Sequence, residues 1–285
     1  MNYFRDLLLS LLVAMVALSS CRKEEEIIPS SRVRVGVPGR PGKIKGFFLL
    51  NEANMGSNKA TLDYYDYTTA FYTRNIYAER NPNVVKELGD VGNDLQIHGS
   101  RLYAVINVSG LIEVMDVRTA KHIGKLSIPN CRYIAFKDGF AYVSSYAGPV
   151  KIDPNARLGY VAKVDTATLK VVAECPVGYQ PEELLIHGDK LYVANSGGYR
   201  APNYDKTISI IDLKTFTEEK QVDVAINLHR LQLDNYGKIW ASSRGDYKGV
   251  PSRLFVFDPK TKRVTKTLEV ACSNMAVSGD SLFVY

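Results

Sequence analysis

Apolar positions along this chain fall into short runs separated by turn-forming residues, and past the N-terminus no segment sustains a helical period. One set of runs recurs with an aromatic or small-residue core: Leu102-Tyr103-Ala104-Val105-Ile106-Asn107, Ala141-Tyr142-Val143-Ser144-Ser145, Leu191-Tyr192-Val193-Ala194-Asn195-Ser196, Ile239-Trp240-Ala241-Ser242-Ser243 and Leu282-Phe283-Val284-Tyr285. Before each stands a short turn: His98-Gly99, Asp138-Gly139, His187-Gly188-Asp189, Asn235-Tyr236-Gly237 and Gly279-Asp280. Glycine beside aspartate or asparagine permits the positive φ that tight hairpins need. A second mark closes another set of runs: Asp66-Tyr67-Thr68-Thr69, Asp116-Val117-Arg118-Thr119, Asp165-Thr166-Ala167-Thr168, Asp212-Leu213-Lys214-Thr215 and Asp258-Pro259-Lys260-Thr261. Its aspartates are spaced 50, 49, 47 and 46 residues apart. Aspartate and threonine side chains bond nearby backbone groups, which suits them to cap a hairpin.

A strand-built repeat of this period predicts a blade array, so the fold class is all-β, a β-propeller of four-stranded antiparallel blades. Each blade reads as strand A, glycine turn, aromatic strand B, variable loop, strand C ending in aspartate, Asp-x-x-Thr turn and strand D. The first repeat starts at strand B, Gly46 to Asn51, without a clear strand A; the Ser, Gly and Pro around Val33 and Val35 argue against one there. In such a meander the A–B and C–D turns share one end of the blade, and the B–C and D–A loops share the other. The first set is short and uniform. The second is long and irregular, with B–C loops at Asn51 to Asn58, Asn107 to Gly110, Tyr146 to Gly159, Asn195 to Asp205 and Arg244 to Ser252. Variable loops on a rigid scaffold are where binding concentrates, so function is expected on this wide face.

The N-terminus changes the picture. Leu7 to Leu18 is an apolar run of 12 residues behind Arg5, too short to span a bilayer and shaped like a secretory signal. It ends in Leu18-Ser19-Ser20-Cys21, which resembles the lipobox of bacterial lipoproteins. That resemblance implies cleavage after residue 20, acylation of Cys21 and stable membrane anchoring. Arg22-Lys23-Glu24-Glu25-Glu26 follows and resembles the surface-export signal of outer-membrane lipoproteins of some gut bacteria. The expected division is a signal peptide over 1–20, the acylated cysteine and a flexible tether over 21–42, and the propeller over 43–285.

Composition adds exclusions. Lys and Arg outnumber Asp and Glu for a net charge of +6, but the cations are scattered among acids and form no stripe for nucleic acid. With Cys21 set aside, Cys131, Cys175 and Cys272 are an odd number, so at most one bridge can form. His98, His122, His187 and His229 show no metal-ligand spacing, and two of them sit at equivalent turns. No nucleophile elbow or phosphate loop occurs. Tyrosine is abundant at 18 residues, and Tyr146, Tyr179, Tyr199, Tyr204 and Tyr247 fall in or beside the wide-face loops. Tyrosine offers a rigid apolar face with a polar tip, which suits a large ligand of mixed polarity.

Leu191-Tyr192-Val193-Ala194-Asn195 resembles the Tyr-Val-Thr-Asn type of propeller repeat found in YncE-like proteins. The stretches from Asn51 to Asp63 and from Asn195 to Tyr204 resemble more specifically the surface lipoprotein propellers called BtuG. The resemblance runs from about residue 44 to the end, together with the leader. It implies a seven-bladed propeller that captures cobalamin or related corrinoids and delivers them to a TonB-dependent transporter of the BtuB kind, at the cell surface of the outer membrane. A corrinoid is a flat apolar macrocycle fringed with amides and bearing a phosphate-linked loop, so its receptor should offer aromatic faces, amides and arginine. Asn54, Met55, Asn107, Tyr146, Asn195, Tyr199, Arg200, Arg244, Asp246 and Tyr247 supply that mixture on the wide face. No bound cofactor beyond the corrinoid ligand is expected, and the same mixture would also serve haem or a glycan.

Five Asp-x-x-Thr marks fall short of seven blades, which would need roughly seventy further residues, so the chain reads as C-terminally truncated. Two other functional classes stay open. A propeller enzyme of the lactonase or lyase type would hold a metal in its central channel, and Asn93, Asp94, Asn130, Glu182, Glu183 and Asn274 at the D–A junctions offer oxygen and amide ligands. A protein-interaction propeller would need no such set.

Overall fold

The computed structural model describes residues 28–40, 42–84 and 87–285, which form five four-stranded antiparallel sheets and a final hairpin in a propeller-like arrangement. Four of the sheets are uninterrupted meanders. They comprise β5 (Gly92–His98), β6 (Arg101–Ile106), β7 (Leu111–Asp116) and β8 (His122–Ser127); β9 (Cys131–Lys137), β10 (Phe140–Ser145), β11 (Tyr160–Asp165) and β12 (Lys170–Pro176); β13 (Pro181–His187), β14 (Lys190–Asn195), β15 (Thr207–Asp212) and β16 (Thr217–Asp223); and β17 (Leu228–Leu233), β18 (Ile239–Ser243), β19 (Arg253–Asp258) and β20 (Arg263–Leu268). The last hairpin is β21 (Met275–Ser278) and β22 (Ser281–Val284). The strand order within each meander is the A-B-C-D order read from the repeat.

Burial explains why the strand B runs are apolar without alternation. Each of the four meanders is sandwiched between two neighbours, so both of its faces lose water. On β14, Leu191 and Val193 pack with Tyr142 and Val161 of the preceding sheet, whereas Tyr192 and Ala194 pack with Leu231 and Phe257 of the following one. Five such cores alternate with the sheets along the chain. Outer strands such as β12 and β16 are mostly exposed and correspondingly polar.

The Asp-x-x-Thr turns are built as the sequence implied. Asp165 Oδ1 accepts from the Ala167 and Thr168 amides at 3.0 and 2.7 Å and from the Thr168 hydroxyl at 2.9 Å. Asp66, Asp116, Asp212 and Asp258 likewise accept from the amide two residues on. The residue after each threonine (Ala70, Ala120, Leu169, Phe216 and Lys262) takes a left-handed conformation with φ between 54° and 58°. None of these five is glycine, so the turn must hold each against steric cost, and the aspartate cap supplies part of that hold.

The first sheet departs from the repeat. It contains β2 (Gly46–Asn51), β3 (Thr61–Asp66) and β4 (Phe71–Arg74), in the places of strands B, C and D. The expected lack of a strand A holds, because β2 pairs only with β3 among the described residues. The segment around Val33 does form a strand, β1 (Ser31–Arg34), but on the opposite edge, paired with β4. All four of its residues are exposed, and Arg32 and Arg34 stack on Phe71 at 4.2 and 5.1 Å. Alternation along β2 then splits its side chains. Phe48 and Leu50 pack towards the second sheet, whereas Phe47 and Leu49 remain 43% and 45% exposed. One short helix, α1 (Ile76–Arg80), bridges β4 and β5, with Asn75 as its N-cap.

Asp212 also carries an ion pair with Lys190 at 2.7 Å, and that hydrogen bond, followed by the turn amides, holds its carboxyl well below the usual range. Asp212→Ala removes the cap and the pair together from the end opposite the long loops. Urea unfolding should shift to a lower midpoint, with ligand binding unchanged. A weakened ligand affinity at an unchanged midpoint would place the binding function on the turn face.

Candidate functional site

The inner strand of each four-stranded meander opens with an irregularity that decides what faces the axis. In β9, Cys131 pairs with Ser145 and Ile134 with Val143, so two residues oppose one. The same shift separates Pro181 from Leu184 in β13 and Leu228 from Leu231 in β17, and Gly92 from Asp94 in β5. Such bulges re-aim side chains. Here they present adjacent polar residues at corresponding positions: Asn93-Asp94, Arg132-Tyr133, Glu182-Glu183 and His229-Arg230. Serine hydroxyls of strand B stabilise two of the bulges, Ser144 accepting from the Tyr133 amide and Ser242 from the Arg230 amide, each at 3.1 Å.

The side chains so displayed bond across sheets. Arg132 donates Nε to Glu182 Oε2 at 3.1 Å and places Nη2 3.0 Å from the same oxygen. Arg244 reaches Glu182 Oε1 at 3.3 Å, and the Tyr146 hydroxyl donates to that oxygen as well. Glu182 is 0% exposed. Burial alone would raise its carboxyl, but Arg132 and then Arg244 overcome that cost and hold it at about 2. The Tyr133 hydroxyl and His229 Nε2 share a hydrogen bond of 2.8 Å that passes from the third sheet to the fifth. Burial pushes the His229 imidazole down to about 3, so it is neutral near pH 7.

Glu183, Arg230 and Asp94 form a second group. Arg230 Nη2 stands 3.2 Å from Glu183 Oε1, the Leu231 amide donates to Glu183 Oε2, and Asp94 accepts from the Ile134 amide at 3.0 Å. Burial pushes Glu183 up to about 7 despite Arg230, and the Asp94 charge adds to the rise. These bonds engage several of the junction residues considered as metal ligands. Asn93 donates to the Arg132 carbonyl and Asn130 to the Gly148 carbonyl at 2.7 Å. Among the described residues, no three His, Cys, Asp or Glu side chains gather as a metal site. Cys131, Cys175 and Cys272 are all buried and free, so no bridge joins them.

Above the Glu182 group the wide-face loops converge on one open cavity of about 760 Å³. Seven of the ten residues selected from sequence line it: Asn54, Met55, Asn107, Tyr146, Tyr199, Arg244 and Tyr247. Every sheet contributes through its B–C loop. The loops also brace one another, through the Asp153 amide on the Tyr199 carbonyl at 2.8 Å and the Tyr146 and Tyr199 rings 6.3 Å apart. Three selected residues stand off the cavity. Asn195 is fully buried, and its amide donates to Thr207 and Ser209 at 2.9 and 2.8 Å. Arg200 sits over the Tyr179 ring, 3.5 Å from its centroid, and donates to the Asn203 carbonyl. Asp246 turns inward on its own loop, accepting from the amides of Lys248, Gly249 and Val250, beside a smaller hollow.

Sequence reasoning missed Arg132 as a lining residue and gave Glu182 no role here; Val108, Val150, Ile152 and Tyr204 also line the cavity. A signal was present: two adjacent polar residues interrupt the inner strand of each four-stranded meander four or five positions before its glycine turn. Without knowledge of the bulge, one of each pair would be assigned to the core face.

Fold and site together define an all-β, propeller-like protein whose irregular loops enclose a cavity over a charged axis. Residues 45–277 match the family model described as Domain of unknown function (DUF5074), and the chain belongs to that family. No curated protein matches it. Among solved structures, it is similar to hydrazine synthase of Kuenenia stuttgartiensis, with a TM-score of 0.53 and 19% identity over 62% of this chain and 48% of that one. A chain of the mitotic checkpoint complex gives a TM-score of 0.53 at 9% identity, over 74% and 58% of the two chains. The computationally designed Ika8 protein gives 0.54 at 13% identity, over 85% and 65%. The chain thus spans under two thirds of each of these structures, and at such identities the likeness is one of fold alone.

The Glu183 shift has a definite sign. A folded-state value of about 7, above the ordinary 4.5, means the folded protein retains a proton that the unfolded chain has released. The stability this contributes is complete below pH 4.5 and is lost as pH rises through 7. Glu183→Gln cannot titrate, so its thermal midpoint relative to the unsubstituted protein should climb between pH 5 and pH 8. A difference that stays flat or falls would show that Glu183 is ionised throughout.

Proposed function

We propose that this protein is the capture component of a corrinoid-uptake system, binding cobalamin or a related corrinoid in the wide-face cavity. The observation that carries this reading is the convergence of loops from all five four-stranded sheets on one open cavity of mixed chemistry. Its volume of about 760 Å³ lies within the roughly 300–1,000 Å³ of ligand clefts. Tyr199, Tyr204 and Tyr247 supply aromatic surface, Val108, Val150 and Ile152 supply aliphatic surface, and Asn54 stands exposed at its wall, whereas Tyr146 and Asn107 are buried behind it with their polar groups bonded to Glu182 and to Asn130 and Cys131. A flat apolar ring with an amide fringe calls for that combination. An enclosed slot lined only by apolar groups would leave the fringe amides without partners, at a cost per group of about 1–3 kcal/mol.

In this reading the protein is anchored through acylated Cys21 at the outer membrane and passes its ligand to a TonB-dependent, BtuB-like transporter. Cys21 and the leader lie outside the described residues. Among the described residues, no helix is long and apolar enough to cross a membrane.

Calorimetric titration with cyanocobalamin tests the assignment. Tyr199→Ala and Tyr247→Ala should each weaken binding by about 1–3 kcal/mol if aromatic contact anchors the ring. Arg200→Ala and Asp246→Ala, whose side chains are turned away from the cavity, should change affinity little. Absence of binding by the unsubstituted protein, or equal losses at all four positions, would overturn the reading.

A further inference from the structure

The base of the wide-face cavity carries more positive charge than its own carboxylate neutralises. Two guanidiniums, Arg132 and Arg244, meet one carboxylate, Glu182, leaving an excess of one positive charge there. The remaining carboxylate of the lining, Glu52, is exposed on the loop after β2. The second charged group, of Arg230 with Glu183 and Asp94, is held by its own contacts and does not line the cavity.

The two arginines are held differently. Arg132 gives two nitrogens to one oxygen of Glu182, lies 5.0 Å from the Tyr146 ring and has a side chain only 12% exposed. Arg244 gives only Nη1, at 3.3 Å, whereas a close charge-assisted hydrogen bond measures about 2.7–2.9 Å. Its Nε and Nη2 have no protein acceptor among the described residues, and its side chain is 29% exposed. A guanidinium with a free edge, a weak grip on its counter-ion and an opening onto a cavity is built to receive a planar or tetrahedral acid.

We propose that Arg244, backed by Arg132, seats one singly charged acid group of the captured ligand, a phosphodiester or a carboxylate, with Glu182 as the fixed internal counter-ion. This rests on the reading that the wide-face cavity is the ligand site, but not on the ligand being a corrinoid. Single charge follows from the excess of one: a dianion would bring uncompensated repulsion against a carboxylate that cannot move into water. Glu182 also holds Arg132 back from the ligand, so the acid group docks on Arg244 near the axis. The ring systems of Tyr199 and Tyr247 are then left to the ligand's apolar body. The subsite thereby fixes which end of the ligand points inward.

The test uses the full chain and two small anions. At constant ionic strength and neutral pH, chloride is replaced by dimethyl phosphate or by acetate, and the thermal midpoint is recorded. At least one anion should raise the midpoint of the unsubstituted protein, and whichever does so identifies the acid as phosphodiester or carboxylate. The rise should vanish in Arg244→Gln and return in part in Arg244→Lys, which keeps the charge and loses the fork. No rise with either anion, or an undiminished rise in a folded Arg244→Gln, would refute the subsite. In parallel, cobalamin and cobinamide, which lacks the phosphodiester and its nucleotide, are compared by calorimetry. A phosphodiester subsite should favour cobalamin by about 10-fold in the unsubstituted protein and by much less in Arg244→Gln. An anion effect that depends on Arg244 with no corrinoid binding would sustain the subsite and sink the corrinoid assignment. Corrinoid binding that is indifferent to Arg244, with no anion effect, would do the reverse.

Discussion

A carboxylate with no access to water stays charged only if cations and hydrogen-bond donors replace the water it has lost. Glu182 meets that condition with Arg132, Arg244 and the Tyr146 hydroxyl, drawn from the third and fifth sheets around its own fourth. Its low carboxyl value shows the compensation outweighing burial. The arrangement fixes three sheets about the axis, and it is sensitive, since removing one partner of a buried pair commonly costs about 3–5 kcal/mol. Hydrophobic replacement of such a group can be neutral for stability, so stability alone does not account for its presence at the base of a cavity.

What brings these groups together is the bulge at the start of β5, β9, β13 and β17. A regular strand would turn one of every two adjacent residues into the apolar cores between sheets. With two residues opposing one, both Glu182 and Glu183 take part in polar contacts, and so do both His229 and Arg230. The cores continue undisturbed outside them, with Leu184 and Leu231 resuming the apolar pattern just beyond. Rigid sandwiched sheets thus fix the base of the cavity, and the long loops above it are free to vary in sequence. That division lets a repetitive scaffold carry a site in which no two loops are alike.

The repeat made the scaffold legible. Asp-x-x-Thr turns, glycine turns and strand B runs each depend on local hydrogen bonding or φ, and local chemistry leaves a mark that recurs in phase. Which loops share a face followed from the strand order, and Asn54, Tyr199 and Tyr247 were found that way. The remainder depended on contacts between sheets. Asn195 looks like a loop amide until Thr207 and Ser209 are seen to hold it, and Arg200 looks available until Tyr179 covers it. Arg132 and Glu182 meet across 50 residues of sequence, a pairing no local pattern encodes. The first sheet was half legible: its missing inner strand was foreseen, but not the addition of Ser31–Arg34 at its outer edge, where strand residues are exposed and need no apolar signature.

Hydrogen–deuterium exchange of the full chain with and without cyanocobalamin bears most directly on the claim that the loop-bearing face holds the ligand over the Glu182 group. Protection is expected in the loops around residues 52–55, 107–108, 146–152, 198–204 and 244–247. The glycine turns and the Asp-x-x-Thr turns at the other end should exchange as before. Protection confined to those turns, or none anywhere at saturating ligand, would contradict it.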